Sequence, residues 1–86
     1  MNSYTRILRV LRDNQQYDLS CVNIQHDLEH PRNTDKPFVI IGQRTIKDYL
    51  LFLQSKRMVE HYICNGPRWK ITQFGLNYLE VFLADN

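Results

Sequence analysis

The segment "MVEHYICNGPRWKIT", residues 58 to 72, limits the possible folds more than any other part of this chain. In its first half, Val59, His61 and Ile63 fall on one side of an extended backbone, and the residues between them fall on the other. A period of two residues predicts a β-strand. The fold must therefore contain β-structure late in the chain.

A turn signal follows this strand. Asn65 and Gly66 tolerate a positive φ, and Pro67 fixes the φ of the next position. The returning segment "WKIT" completes the pattern. We predict an antiparallel hairpin with Arg68 and Lys70 at or near its tip.

Two amphipathic helices are predicted in the first third of the chain. Apolar residues at i, i+3, i+4 and i+7 predict a first helix from Ser3 to about Gln15. Residues 17 to 19 then form a short extended link, Ser20 is the predicted N-cap of a second helix, and Pro31 ends that helix. The predicted inward residues are Tyr4, Ile7, Leu8, Leu11, Cys21, Ile24 and Leu28.

A polar loop, "PRNTDKP", leads from the second helix into the apolar run "FVII", residues 38 to 41. This run is β-branched and aromatic enough to be a short buried strand. An apolar plug without strand structure fits the same residues, and periodicity does not separate the two.

A third helix is predicted over residues 43 to 57. Its two faces differ sharply in polarity, which predicts one buried face and one exposed face. The core stripe consists of Ile46, Tyr49, Leu50 and Leu53, and the opposite side carries Arg44, Lys47, Asp48, Leu51 and Ser55.

A fourth helix is predicted from Gln73 to about Ala84, with Thr72 as its N-cap. Its apolar residues cover well over half of the helix circumference, more than packing on one side requires. The simplest second surface is another copy of the chain. The predicted homodimer interface contains Phe74, Tyr78, Val81 and Phe82.

The chain of 86 residues, 43% hydrophobic and 23% charged, fits one globular domain over residues 1–86. Its apolar runs are too short for a membrane span, and "MNSYTRILRV" lacks a secretory apolar region. We therefore expect a cytoplasmic protein without membrane association. In a reducing cytosol, Cys21 and Cys64 are expected to be buried free thiols, with a disulfide as the alternative.

The net charge of +2 is unevenly distributed. Residues 32 to 70 carry eight Lys and Arg side chains against three carboxylates, a net charge of +5, while both flanks are negative. A polyanion is one partner that this middle segment suits. A solvated basic surface is the other interpretation.

The predicted order is helix, short extended link, helix, helix, β-hairpin, helix, a mainly α fold with a small hairpin (α+β). Within it, "TIKDYLLFLQSKRMVEHY" and "WKITQFGLNYLEVF" resemble the recognition helix, wing and last helix of winged helix-turn-helix regulators. The resemblance is to small MarR-like and PadR-like proteins and to archaeal and archaeal-virus winged-helix regulators. It covers just under half of the chain, and Ile71, Thr72, Gly75 and Leu79 match the family's "LTxxGxxxLxxx" segment. The loop before Gly42 is longer than the roughly three or four residues usual between the two helices.

This resemblance implies sequence-specific binding of double-stranded DNA by a dimeric transcriptional regulator, with helix 43–57 in the major groove and residues 65–70 as a wing on the backbone. Arg pairs with guanine and Gln with adenine, while Lys suits a phosphate or a base. Asp48 fits either the reading of a base or a cap-like or intramolecular pairing role. Leu51 fits either contact with a thymine methyl group or packing against the rest of the domain. Trp69 suits the core or a hairpin anchor, with a stacking platform as the alternative. The predicted DNA-binding residues are Gln43, Arg44, Thr45, Lys47, Asp48, Arg68 and Lys70.

Enzymatic and metal-dependent functions are disfavoured. "HDLEH" places His26 and His30 on one helix face, but a metallohydrolase needs a third ligand and a substrate cleft. Cys64 with His61 lacks a group that orients the base, and no nucleotide-binding glycine pattern occurs. No cofactor and no metal is predicted. The alternative function is a winged-helix protein-interaction module that docks a partner on "KDYLLF" without nucleic acid.

Overall fold

The computed structural model describes residues 3–31, 36–39 and 42–84. The elements within these residues are α1 (Ser3–Asp13), α2 (Cys21–Glu29), α3 (Gln43–Ser55), β1 (Val59–Ile63), β2 (Pro67–Ile71) and α4 (Gln73–Ala84). This is the predicted order. The core is formed by the inward faces of α1, α2 and α3, by Leu79 of α4 and by one face of the hairpin.

Two helices end earlier than predicted. The side chain of Asn14 donates to the Val10 carbonyl at 2.8 Å, and Tyr17 N–H donates to the Asn14 carbonyl at 2.9 Å, so a turn replaces the end of α1. Arg57 adopts φ 62° after α3. Its N–H donates to Gln54 and the Met58 N–H to Leu53, the Schellman pattern that ends a helix. Helix α3 therefore stops at Ser55 rather than residue 57.

The hairpin has the predicted antiparallel pairing, from Val59 opposite Ile71 to Ile63 opposite Pro67. Trp69 is buried at the centre of the hairpin, and its backbone N–H donates to the Leu19 carbonyl at 2.8 Å, so the predicted extended link pairs with β2. On the side of β1 that carries Val59, His61 and Ile63, Val59 is buried and Ile63 is exposed. The outer end of the hairpin projects beyond the core.

The described part of "FVII" is an apolar plug rather than a strand. Phe38 packs against the core, its N–H donates to the Leu28 carbonyl at 2.8 Å, and the Arg6 guanidinium lies 5.2 Å from its ring centre. Val39 is exposed. Ile40 and Ile41 lie outside the described residues.

The start of α4 is held against the end of α3 by Thr72 and Gly75. The Thr72 hydroxyl donates to the Arg57 carbonyl at 2.6 Å and accepts from the Gly75 N–H at 3.0 Å, which confirms Thr72 as the cap. A Cβ on Gly75 would lie 2.2 Å from the Met58 carbonyl oxygen. Gly75 therefore permits a close approach of two backbones.

Both cysteines are free thiols, as expected. Cys21 is half-buried, but Cys64 is exposed because it lies in the turn of the projecting hairpin, so the expectation that both are buried is wrong. None of the described helices is long and apolar enough to cross a lipid bilayer.

Candidate nucleic-acid interface

A groove of about 740 Å³ lies between the N-terminus of α2, the outer face of α3 and the start of β2. Four of the seven residues predicted from the sequence to bind DNA meet there. The residues that line the groove are Ser20, Cys21, Val22, Gln43, Arg44, Lys47, Asp48, Leu51 and Pro67.

Helix α3 supplies one long wall of this groove. Ile46, Leu50 and Leu53 are buried, which fixes the rotation of the helix about its axis and turns the other side to solvent. Arg44, Lys47, Asp48 and Leu51 are exposed there at i, i+3, i+4 and i+7, as predicted. Leu51 is 44% exposed and does not belong to the core cluster. Thr45 is exposed but does not line the groove.

The basic residues of the middle segment do not form one patch. Arg44 and Lys47 line the groove beside Asp48. Lys56 and Arg57 follow the other end of α3, about 18 Å away along the helix axis at 1.5 Å per residue. The net charge of +5 therefore overstates the positive charge at the groove, where two cations face one carboxylate.

The N-terminus of α2 forms the opposite wall. Ser20 caps the helix as predicted, and it exchanges two hydrogen bonds with Asn23: Asn23 N–H to Ser20 Oγ at 3.3 Å and Ser20 N–H to Asn23 Oδ1 at 3.2 Å. Burial raises the pKa of the Cys21 thiol above its ordinary value, so this side chain is neutral at pH 7. Val22 is 53% exposed.

Val22 was missed from the sequence. It lies off the inward stripe of Ile24 and Leu28, and an isolated outward valine is common on helix surfaces. Only the fold shows that Val22 lines the same groove as Leu51.

Arg68 is bound within the protein. Its guanidinium donates to the carbonyl of Cys64 at 2.9 Å (Nε), to the carbonyl of Asn65 at 3.3 Å (Nη2) and to Asn23 Oδ1 at 3.5 Å (Nη1). The first two bonds stabilise the turn of the hairpin, and the third connects it to α2. Because side chains alternate along a strand, Arg68 lies on the face opposite to Pro67, which lines the groove.

Lys70 lies farther from the tip than predicted. It pairs with Glu60, next to the Val59–Ile71 pair at the base of the hairpin, and its side chain is exposed. The predicted position near the tip is therefore correct for Arg68 and wrong for Lys70, because the hairpin includes Pro67 in the second strand.

The described chain superposes on a PadR family transcription regulator from a hypervirulent Clostridium difficile strain with a TM-score of 0.68. The match covers 96% of this chain and 86% of that chain, at 21% sequence identity. No protein-family model and no curated protein sequence matches the chain. The protein has a winged helix-turn-helix fold. In this winged helix, α2 and α3 are the helix-turn-helix pair, β1 and β2 are the wing, and the groove lies among them.

The winged helix also exposes an apolar surface on α4, away from the buried Leu79. Phe74, Tyr78 and Val81 are exposed at i, i+4 and i+7, and the rings of Tyr78 and Phe82 stack with centres 6.3 Å apart. The predicted apolar excess on this helix is confirmed. Whether a second copy covers it stays a prediction.

The two histidines of "HDLEH" lie together on α2, with ring centres 4.9 Å apart. Asp27 lies 3.6 Å from His26 Nδ1 and also accepts from Asn14 at 3.1 Å. Within residues 3–31, 36–39 and 42–84, no group of three or more metal-ligating side chains converges. His61 stacks on Trp69 in the wing, with ring centres 4.4 Å apart, so its ring packs against the hairpin.

Proposed function

We propose that this protein is a sequence-specific double-stranded DNA-binding protein and a transcriptional regulator. The observation that carries the proposal is the composition of the outer face of α3, where Gln43, Arg44 and Lys47 are exposed together beside the wing of a winged helix. The likeness to a PadR family transcription regulator supports it.

Each exposed side chain on this face of α3 can make a hydrogen bond or an ionic contact that a DNA base or phosphate accepts or donates. An α-helix fits the major groove, where Arg44 can donate two hydrogen bonds to guanine and Gln43 can pair with adenine. Lys47 suits a phosphate, and Asp48 can accept from the cytosine amino group. Gly42 is the N-cap of α3 and has no side chain that would satisfy the first N–H groups, so they can also meet a phosphate.

The wing contributes to backbone binding through Lys70, whose exposed ammonium group can meet a phosphate. Arg68 has a different principal role in this proposal. Two of its hydrogen bonds close the wing turn and the third, to Asn23, links the turn to α2, while its remaining N–H groups can still meet DNA.

We further propose that the protein acts as a homodimer through α4, with Phe74, Tyr78, Val81 and Phe82 at the interface. The exposed apolar face of α4 supports this proposal. Two-fold symmetry would place two copies of α3 about 34 Å apart, one turn of B-DNA. The DNA site should accordingly be palindromic.

The test is fluorescence anisotropy with duplexes selected from a random pool by the purified protein at low salt. The Arg44→Ala plus Lys47→Ala variant should bind the selected duplex about tenfold or more weakly, because a bidentate base contact and a phosphate contact are lost. The matched control is Lys36→Ala plus Lys56→Ala, which removes two exposed cations outside the groove and should bind nearly as wild type.

A protein-interaction module is the second candidate, favoured by the exposure of apolar Leu51 and Phe52 within "KDYLLF". Salt separates the two functions. Phosphate contacts give a steep loss of affinity as salt rises, whereas docking on apolar side chains does not. Failure of the protein to bind any duplex at low salt would reject DNA binding and favour this candidate.

A further inference from the structure

The groove between α2, α3 and the start of β2 contains more exposed apolar surface than binding to phosphates requires. Val22 is 53% exposed on one wall and Leu51 is 44% exposed on the other, with the neutral thiol of Cys21 and the ring of Pro67 also lining the groove. None of these groups can bind a phosphate. They form an apolar strip beside the polar residues of α3.

The side chains of this apolar strip are not part of the hydrophobic core. Helix α2 fills the core with Ile24 and Leu28, and α3 does so with Ile46, Leu50 and Leu53, all of them at most 1% exposed. Val22 and Leu51 contribute little to that core. Exposed aliphatic side chains cost solubility, so their convergence in one groove calls for an apolar group in the partner.

Charge decides which partner suits the groove. Arg44 and Lys47 line the groove beside Asp48, so the groove carries a small positive charge next to the apolar strip. A partner that combines negative charge with apolar groups fits this arrangement. The major groove of B-DNA does so, because phosphates border it and the 5-methyl group of thymine projects into it. Of the four bases, thymine alone carries such a methyl group.

Resting on the DNA binding proposed above, we propose that Val22 and Leu51 form a thymine-methyl reading site between α2 and α3. In this arrangement Arg44 and Gln43 read hydrogen-bonding base edges, and the apolar strip selects thymine at neighbouring positions. The selected DNA site should then contain thymines whose methyl groups contribute to affinity.

The experiment replaces thymine by deoxyuridine, one position at a time, in the duplex selected by the wild-type protein. This change removes a methyl group and leaves base pairing intact. At one or more positions, wild-type affinity should fall about fourfold per methyl group removed from an apolar contact. Leu51→Ala or Val22→Ala should bind the thymine duplex more weakly and lose the difference between thymine and deoxyuridine at the position that it contacts.

Val39→Ala is the matched control for Val22→Ala, because Val39 is 67% exposed and does not line the groove. This variant should keep the full sensitivity to deoxyuridine. Thermal unfolding of each variant shows whether its fold is intact, which is expected because the altered side chains are exposed.

The possible outcomes separate this inference from the proposal beneath it. If the wild type binds the selected duplex but no deoxyuridine substitution weakens binding, methyl reading is overturned and DNA binding stands. Methyl reading is likewise overturned if Leu51→Ala and Val22→Ala weaken binding equally on thymine and deoxyuridine duplexes. If no duplex binds at all, the proposed function fails and this inference fails with it.

Discussion

Replacing Gly75 by alanine should destabilise the fold, although alanine is the better helix former. The alanine Cβ would lie 2.2 Å from the Met58 carbonyl oxygen and 2.8 Å from Ile71 Cγ1. The Met58 oxygen belongs to the backbone and already accepts from the Thr72 N–H at 3.0 Å. Relief of the contact therefore requires that the start of α4 move away from the end of α3.

The expected magnitude follows from three contributions. Forced overpacking costs about 1–3 kcal/mol. Displacement of the Thr72 cap, whose hydroxyl accepts from the Gly75 N–H, removes up to about 1 kcal/mol more. The gain in helix propensity from glycine to alanine offsets about 1 kcal/mol. With overpacking at the middle of its range, the free energy of unfolding should therefore fall by about 1–2 kcal/mol.

Urea unfolding followed by the fluorescence of Trp69 measures this change directly, because Trp69 is the one tryptophan in the sequence and is buried in the wing. The matched control is Asn77→Ala, an exposed position on the same helix, which should change stability by less than about 0.5 kcal/mol. A Gly75→Ala variant as stable as the wild type, or more stable, would refute the close-approach explanation for this glycine.

Two further predictions concern the α2 cap and the α4 surface. Ser20→Ala should lower the free energy of unfolding by about 1 kcal/mol, because the Asn23 N–H loses the Ser20 hydroxyl as its acceptor. Ser55→Ala, at the exposed end of α3, should change it by less than half as much, and equal effects in urea unfolding would contradict the capping role. Val81→Asp should convert a dimer to a monomer in sedimentation experiments, because it introduces a charge on the 63% exposed valine of the α4 surface, while Val39→Asp should leave the dimer intact. A wild-type monomer at all concentrations, or a dimer that survives Val81→Asp, would reject the proposed interface.

Local signals made much of this fold predictable from the sequence. The core stripe of α3, the Ser20 cap and the Asn65-Gly66 turn each depend on residues close together in the chain, so their patterns survive without tertiary information. The core stripe of α3 also predicts its exposed side, because residues on the opposite face of a helix point away from the core. Four residues of the groove could therefore be named in advance.

Tertiary contacts determined what the sequence could not predict. Arg57 ends α3 at a positive φ that usually favours glycine, and its carbonyl is held by the Thr72 hydroxyl from beyond the wing. The sequence predicts Arg68 only as a DNA-binding residue, whereas the folded wing turn presents two carbonyl oxygens to its guanidinium. Val22 gains significance only from its place across the groove from Leu51.

The central claim is that the outer face of α3 reads DNA, and one comparison of dissociation constants tests it most directly. Wild type, Arg44→Ala plus Lys47→Ala, and Lys36→Ala plus Lys56→Ala are titrated by anisotropy against the selected duplex at one low salt concentration. We predict that the groove variant binds about tenfold or more weakly than wild type and that the control stays within about twofold. Equal affinities for all three proteins, or an equal loss in both variants, would contradict the claim.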